Sequence, residues 1–337
     1  MPHLPKAAPT LWYTGRVRPT ACPSVDLLAA FIVGELPAAE LEPLEVHFDA
    51  CEECVCVVHA ACPDQVTSAE LLEHYEVLEL IGRGGMGTVY RARDRRTGQL
   101  VAVKRMAFHP GDQTLAARYR REVDVLLRIN HPNIVGIEDY GVENGGHYIV
   151  MEYVAGGSLR QHMDHALQWP VERVLELIIE LADALARVHQ LGVIHRDVKP
   201  ENILVGADGK PRLADFGLVK INEARLTATG GVPGTLAYLS PEALSGDAVD
   251  GRADVWSLGL VAFELLTGQH PFRGNSPAQT LGAILHRPLP ELGRLRPDLP
   301  QSVIDVTLRM LEKDCSRRIA SARRVAADLE TALTALR

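Results

Sequence analysis

Nothing in this sequence is long and apolar enough to cross a bilayer. A helical span needs roughly 20 mostly apolar residues. The most apolar helical stretch, Val174–Val188, is interrupted by Glu176, Glu180, Asp183 and Arg187. The amino terminus has an early Lys and early Pro residues but no apolar core of the kind a secretory signal carries. The expectation is a cytoplasmic protein without membrane contact. Excess positive charge is lacking too: the formal net charge is -8, and residues 1–74 account for all of it, with 11 acidic and 3 basic side chains against 32 of each sign in the remainder. No basic tail therefore points to nucleic acid. No internal repeat is seen. Cysteine is scarce outside one region: of 6 in the chain, all but Cys315 lie between Cys22 and Cys62. In a cytosolic chain such clustering reads as metal or redox chemistry before structural disulfides.

What is present is an ordinary globular composition, 47% hydrophobic and 23% charged over 337 residues, enough for two or three domains. Residues 1–20 are Pro-rich and aperiodic and read as a flexible leader. A helical pattern runs from Val25 to Ala60, broken by Gly34 and Pro37, and defines a small helical domain over 21–62. A polar linker follows over 63–74. From Tyr75 the period switches to alternation, with β-branched runs at Thr88–Tyr90, Leu100–Val103 and Tyr148–Met151 and an amphipathic helix at Leu115–Ile129. Beyond Gly156 the pattern is mainly helical. The expected class is α+β, with a strand-rich lobe at 75–154 and a helical lobe at 155–337.

Between two strand-like runs lies Gly82-Arg83-Gly84-Gly85-Met86-Gly87. Spaced glycines let backbone N–H groups approach phosphate oxygens without Cβ clashes. A dinucleotide-binding turn would open a helix at the third glycine; here Thr88-Val89-Tyr90 continues as strand, which disfavours it. In Val101-Ala102-Val103-Lys104, alternation sends both valines to one face and Lys104 to the other. A lysine just after a glycine loop suits a phosphate contact, and Glu122 on the following helix could pair with it. His195-Arg196-Asp197-Val198-Lys199-Pro200-Glu201-Asn202 packs its polar groups too densely for a plain connector. Asp215-Phe216-Gly217, Ser240-Pro241-Glu242 and Asp254-Val255-Trp256-Ser257-Leu258-Gly259 follow.

Taken together and in this order, these motifs make residues 75 to about 335 resemble a eukaryotic-type protein kinase domain. Gly84–Gly87 and the stretch from Thr227 to Glu242 are similar to bacterial Ser/Thr kinases. The resemblance implies a two-lobed kinase fold, ATP and Mg²⁺ as cofactors, and transfer of the γ-phosphate to Ser or Thr of protein substrates. It places Ile81, Gly82, Arg83, Gly84, Gly85, Met86, Gly87, Val89 and Ala102 around ATP, with Met151 as gatekeeper and Glu152 to Val154 as the adenine hinge. It makes Lys104, held by Glu122, the α- and β-phosphate contact, Asp197 the group that accepts or orients the hydroxyl proton, and Lys199 a γ-phosphate neighbour. It assigns Mg²⁺ to Asn202 and Asp215. His195 and Phe216 pack, and Asp254 anchors the catalytic loop. Thr227 and Thr229 are the expected activation-segment phosphosites, facing Arg196, while Thr235 sits beside the substrate hydroxyl. The chain departs from the family's Asp-Pro-x-x-Arg with Asp314-Cys315-Ser316-Arg317-Arg318, where Arg318 can still pair with Glu242. The rival is a non-catalytic scaffold of the same shape that only docks a regulator.

His47, Cys51 and Cys54 fall at i, i+4 and i+7, one face of a helix. With Cys22 as a fourth ligand they could hold Zn²⁺, although Cys56, His59 or Cys62 could replace Cys22. Residues 22–62 resemble the zinc-binding anti-sigma-factor domain, which implies a regulatory protein partner. A redox switch and a small helical domain with buried thiols are the alternatives.

Overall fold

The computed structural model of the chain describes residues 22–24, 27–28, 44, 47, 74–84, 87–106, 123–143, 146–163, 168–216 and 235–337. Glu122, Gly85, Met86, Cys51, Cys54, Thr227 and Thr229 lie outside them, as do the side chain of Thr235 and most of the helices expected at 25–60 and 115–129. The chain divides into two units, Met1–Thr67 and Ser68–Arg337. In the first, Leu27 and Leu28 are helical, and the Ser24 hydroxyl accepts the Leu27 N–H at 3.2 Å.

The second unit begins with five strands: β1 (Tyr75–Gly84), β2 (Gly87–Asp94), β3 (Leu100–Met106), β4 (Ile137–Glu143) and β5 (Gly146–Glu152). They form one antiparallel sheet in the order β1-β2-β3-β5-β4. The pleat sorts the residues by face. Val101 and Val103 join Tyr75, Ala92 and Val150 in a small apolar cluster, while Ala102 and Lys104 share the opposite face. Gly87 has φ +139°, and a Cβ there would meet the Arg105 carbonyl oxygen at 2.0 Å. Only glycine lets β2 approach β3 at this point.

The helical lobe follows, with α1 (Leu159–Met163), α2 (Val171–Gln190), the hairpin β6 (Ile203–Val205) and β7 (Pro211–Leu213), α3 (Pro241–Ser245) and α4 (Arg252–Thr267). It ends with α5 (Pro277–His286), α6 (Leu292–Leu295), α7 (Gln301–Met310) and α8 (Ala322–Leu336). α4 is buried all round, from Ala253 to Thr267, as its lack of a polar face requires. α2 is amphipathic and lays Val174, Ile178, Leu181 and Leu185 on the core while Glu172 and Arg187 stay exposed. Trp256 of α4 stacks on Phe272 with centroids 5.8 Å apart and planes 3° from parallel. α4 carries a polar anchor at its first turn, Asp254, and this positions the site. No described helix is long and apolar enough to cross a membrane.

Candidate active site

Lys104 projects from the middle of β3, opposite Val89 of β2 and Ile149 of β5. It is 6% exposed, and its ammonium is paired with the Asp215 carboxylate. A buried ammonium needs such a partner. Asp215 follows β7 in a left-handed backbone conformation, φ 58°, which a non-glycine residue adopts only when its surroundings enforce it. The 195–202 loop lies between α2 and β6. Within it Lys199 Nζ is 2.9 Å from Asp197 Oδ2, and Asn202 Nδ2 donates to Asp197 O and to Oδ2, both at 2.9 Å. The Asn202 amide thus spends its nitrogen on Asp197, which leaves its oxygen as an acceptor. Ala214 N–H donates to the Asn202 carbonyl at 2.8 Å, tying the loop to the segment that carries Asp215. Asp197, Lys199, Asn202, Asp215 and Lys104 therefore form one connected polar group.

The loop is held from below. Asp254 is fully buried and accepts the N–H of His195 and of Arg196, each at 2.8 Å, and His189 Nε2 lies 2.7 Å from the same carboxylate. These bonds fix Arg196 at φ 63°. His195 is also fully buried; its ring bonds the Ala214 carbonyl at 3.0 Å, accepts Asp197 N–H at 3.2 Å, and packs on Phe216 at 4.6 Å. Burial pushes its pKa down, outweighing the pull of Asp254 and Asp197. A neutral ring committed to two backbone groups is a spacer, not a proton shuttle.

Arg318 supports the end of the activation segment, forking onto Glu242 at 2.6 and 2.9 Å and lying 5.2 Å above the Trp256 ring. Its Nε and Nη1 also donate to the carbonyls of Glu312 and Arg252. The substitution of Cys315 for the usual proline leaves this pairing intact, and the Cys315 carbonyl accepts Arg252 Nη1 at 3.0 Å.

A second network went unread in the sequence. Arg160 of α1 donates to Glu201 and to Glu264, each at 2.9 Å, and to the Tyr238 hydroxyl at 2.5 Å. Tyr238 bonds Glu264 in turn and stacks edge-on against His270, whose pKa burial pushes down to about 4. The partners are scattered over α1, the catalytic loop, the activation segment and α4, and no local pattern joins them.

Of the other expected residues, Val154 is 9% exposed, Met151 and Glu152 are half-buried, and Ile81 is exposed. Cys22 is exposed and His47 half-buried. Among the described residues no group of three or more His, Cys, Asp and Glu could hold a metal ion.

Comparison with known proteins agrees with this geometry. The model of the family described as "Protein kinase domain" matches residues 75–329. The chain is similar to the probable serine/threonine-protein kinase PknB of Lactococcus lactis, 36% identical over 262 residues, 77% of this chain and 42% of the relative. It is 37% identical over 263 residues to the serine/threonine-protein kinase PrkC of Bacillus subtilis, 77% of this chain and 41% of that one. With the serine/threonine-protein kinase PknL of Mycobacterium bovis it shares 37% identity over 276 residues, 81% and 69% of the two chains. The match thus spans about two fifths of the length of the first two relatives. A kinase lobe pair with this loop, this anchor and this match belongs to the protein kinase domain family.

Proposed function

We propose that this protein is a Ser/Thr protein kinase that moves the γ-phosphate of ATP, with Mg²⁺, to hydroxyls of protein substrates. The observation that carries this is the connected group of Asp197, Lys199, Asn202, Asp215 and Lys104. The oxygens of Asn202 and Asp215 are the hard donors that Mg²⁺ takes, and the bound metal would neutralise charge on the phosphates. Lys104 holds an α- or β-phosphate oxygen, and Lys199 meets charge developing on the transferred group. Asp197, steadied by Asn202, orients the attacking hydroxyl and receives its proton. Glu122 would hold Lys104 in the active arrangement, and the glycines of 82–87 would close over the phosphates. The test is incubation with γ-labelled ATP and a generic protein substrate. Label on Ser and Thr is expected with Mg²⁺ and not with chelator; nucleotide binding without transfer would favour the scaffold reading.

Activation is proposed to follow phosphorylation of Thr227, Thr229 or both. Arg196 stands beside Asp197, and a phosphate adds nearly two negative charges and three acceptor oxygens, enough to order a loop against a guanidinium. Mass spectrometry should find these threonines modified in wild-type protein and unmodified in Asp197→Asn. A fully active preparation bare at both would end the idea.

For the amino-terminal region, the 21–62 domain boundary and one Zn²⁺ on His47, Cys51, Cys54 and Cys22 remain proposals resting on the ligand spacing, with a regulatory protein as the partner. Elemental analysis is expected to give about one zinc per chain, as a closed four-ligand site requires. Unchanged zinc in a Cys51→Ser/Cys54→Ser double variant would refute the assignment.

A further inference from the structure

One guanidinium joins the catalytic loop to the end of the activation segment. Arg160 Nε donates to Glu201 at 2.9 Å, Nη1 to Glu264 at 2.9 Å and Nη2 to the Tyr238 hydroxyl at 2.5 Å. Glu201 belongs to the single turn Pro200–Asn202 and adjoins Asn202, whose amide bonds the Asp197 carboxylate. Tyr238 closes the turn Thr235–Tyr238. It is 3% exposed and is held at both ends by α4: its hydroxyl bonds Glu264, and its carbonyl accepts Ser257 Oγ at 2.8 Å. Arg160 thus ties a turn that is fixed on α4 to the loop that carries Asp197.

Burial explains two arms of this fork and not the third. The Glu264 side chain is 6% exposed, so its carboxylate needs a cation and a donor, and Arg160 and Tyr238 supply them. The Glu201 side chain is 43% exposed and has water within reach. Ion pairs open to solvent add little stability. What the third arm fixes is geometry. The donors of a guanidinium are set in one rigid plane, so Glu201 cannot shift and keep its bond unless Arg160 moves against Tyr238 and Glu264.

We propose that Arg160 is a positioning residue for the protein acceptor: it sets the spacing between Asp197 and the turn Thr235–Tyr238, beside which the acceptor hydroxyl is received. The inference rests on the kinase reading and deepens it. Its three partners, Glu201, Glu264 and Tyr238, include none of the groups assigned to ATP or Mg²⁺, so the effect of Arg160 falls on the acceptor and not on the nucleotide. Water needs no such seat. Hydrolysis of ATP without a protein acceptor is therefore spared when the fork is lost.

Two variants of the full chain separate positioning from mere support. Arg160→Lys keeps a cation beside buried Glu264 but replaces the fork with a single ammonium. Tyr238→Phe keeps the ring and both carboxylate contacts of Arg160 and removes only the hydroxyl. With γ-labelled ATP and myelin basic protein, kcat/KM for the acceptor should fall by about a hundredfold in Arg160→Lys, the loss that a small misplacement of reacting groups causes. Tyr238→Phe should lower it by a lesser factor. KM for ATP and the rate of phosphate release without acceptor should stay within about twofold of wild type in both, since the lost interaction concerns the acceptor alone. Parallel loss of hydrolysis and transfer would overturn the proposal, because Arg160 would then only support the loop. Undiminished transfer in both variants would overturn it equally. Should Arg160→Lys fail to fold, the near-isosteric Tyr238→Phe decides alone. An acceptor left unlabelled by wild-type protein is a different failure, that of the kinase reading itself.

Discussion

Asp197→Asn is expected to lower the turnover number by about a thousandfold or more, the upper part of the range for loss of a positioned general base. The loop should survive the change. The new side chain keeps a carbonyl oxygen that can accept from Lys199 Nζ and Asn202 Nδ2, the two bonds the carboxylate makes at 2.9 Å. What disappears is the capacity to take a proton from the substrate hydroxyl. The KM for ATP should therefore move little while kcat collapses, a sign that the lost interaction belongs to the transition state. Steady-state kinetics on protein with wild-type circular dichroism would decide the matter. A folded variant retaining a tenth of wild-type turnover would show that another group does this work.

Arg318→Leu should cost about 3–5 kcal/mol of stability, the usual penalty for leaving one half of a buried pair. Arg318 is 3% and Glu242 8% exposed, so the carboxylate left behind has little access to water. At about 2–4 °C per kcal/mol for a domain of this size, the melting temperature should fall by roughly 10 °C. Adding Glu242→Leu should recover part of the loss by removing the orphaned charge. Recovery is incomplete because Arg318 also serves two carbonyls and lies over Trp256. Acid should show the same pair. Burial raises the Glu242 pKa, but the hydrogen bonds and charge of Arg318 outweigh it and hold the group below its ordinary range. The pair's contribution is therefore fully present above the unfolded pKa of about 4.3 and is lost as pH falls from there through the lower folded value. The gap between wild type and Arg318→Leu should shrink over that interval in urea titrations. A variant within about 1 kcal/mol of wild type at neutral pH would mean the pair is not structural.

Both residues could be named from sequence because they sit in short motifs whose chemistry is local. The same holds for the continuation of β2 as strand after Gly87 and for the face on which Lys104 lies, since a period of two decides each. The long-range pairings were harder. Lys104 was expected to meet Glu122, which lies outside the described residues; the partner seen is Asp215, 111 residues away. Asp254 was readable as a loop anchor, yet His189 as its third partner was not, because a histidine ending an amphipathic helix looks like any polar terminus. Arg160 and Glu264 are 104 residues apart, and neither stands in a pattern that announces the other.

Asp254 lies 59 positions after His195, the first loop residue whose N–H it binds. Synthesis runs from the amino terminus, so the ribosome releases the loop well before the helix that holds it. Until that helix has emerged and packed, the loop's N–H groups have no carboxylate to meet, and nothing enforces the left-handed turn at Arg196. A nascent chain at that stage already owns its glycine loop and Lys104 and yet lacks a formed acceptor site. The order of the chain thus leaves the loop's geometry to be set last: the left-handed turn at Arg196 can be enforced only once the later helix has brought Asp254 beneath it.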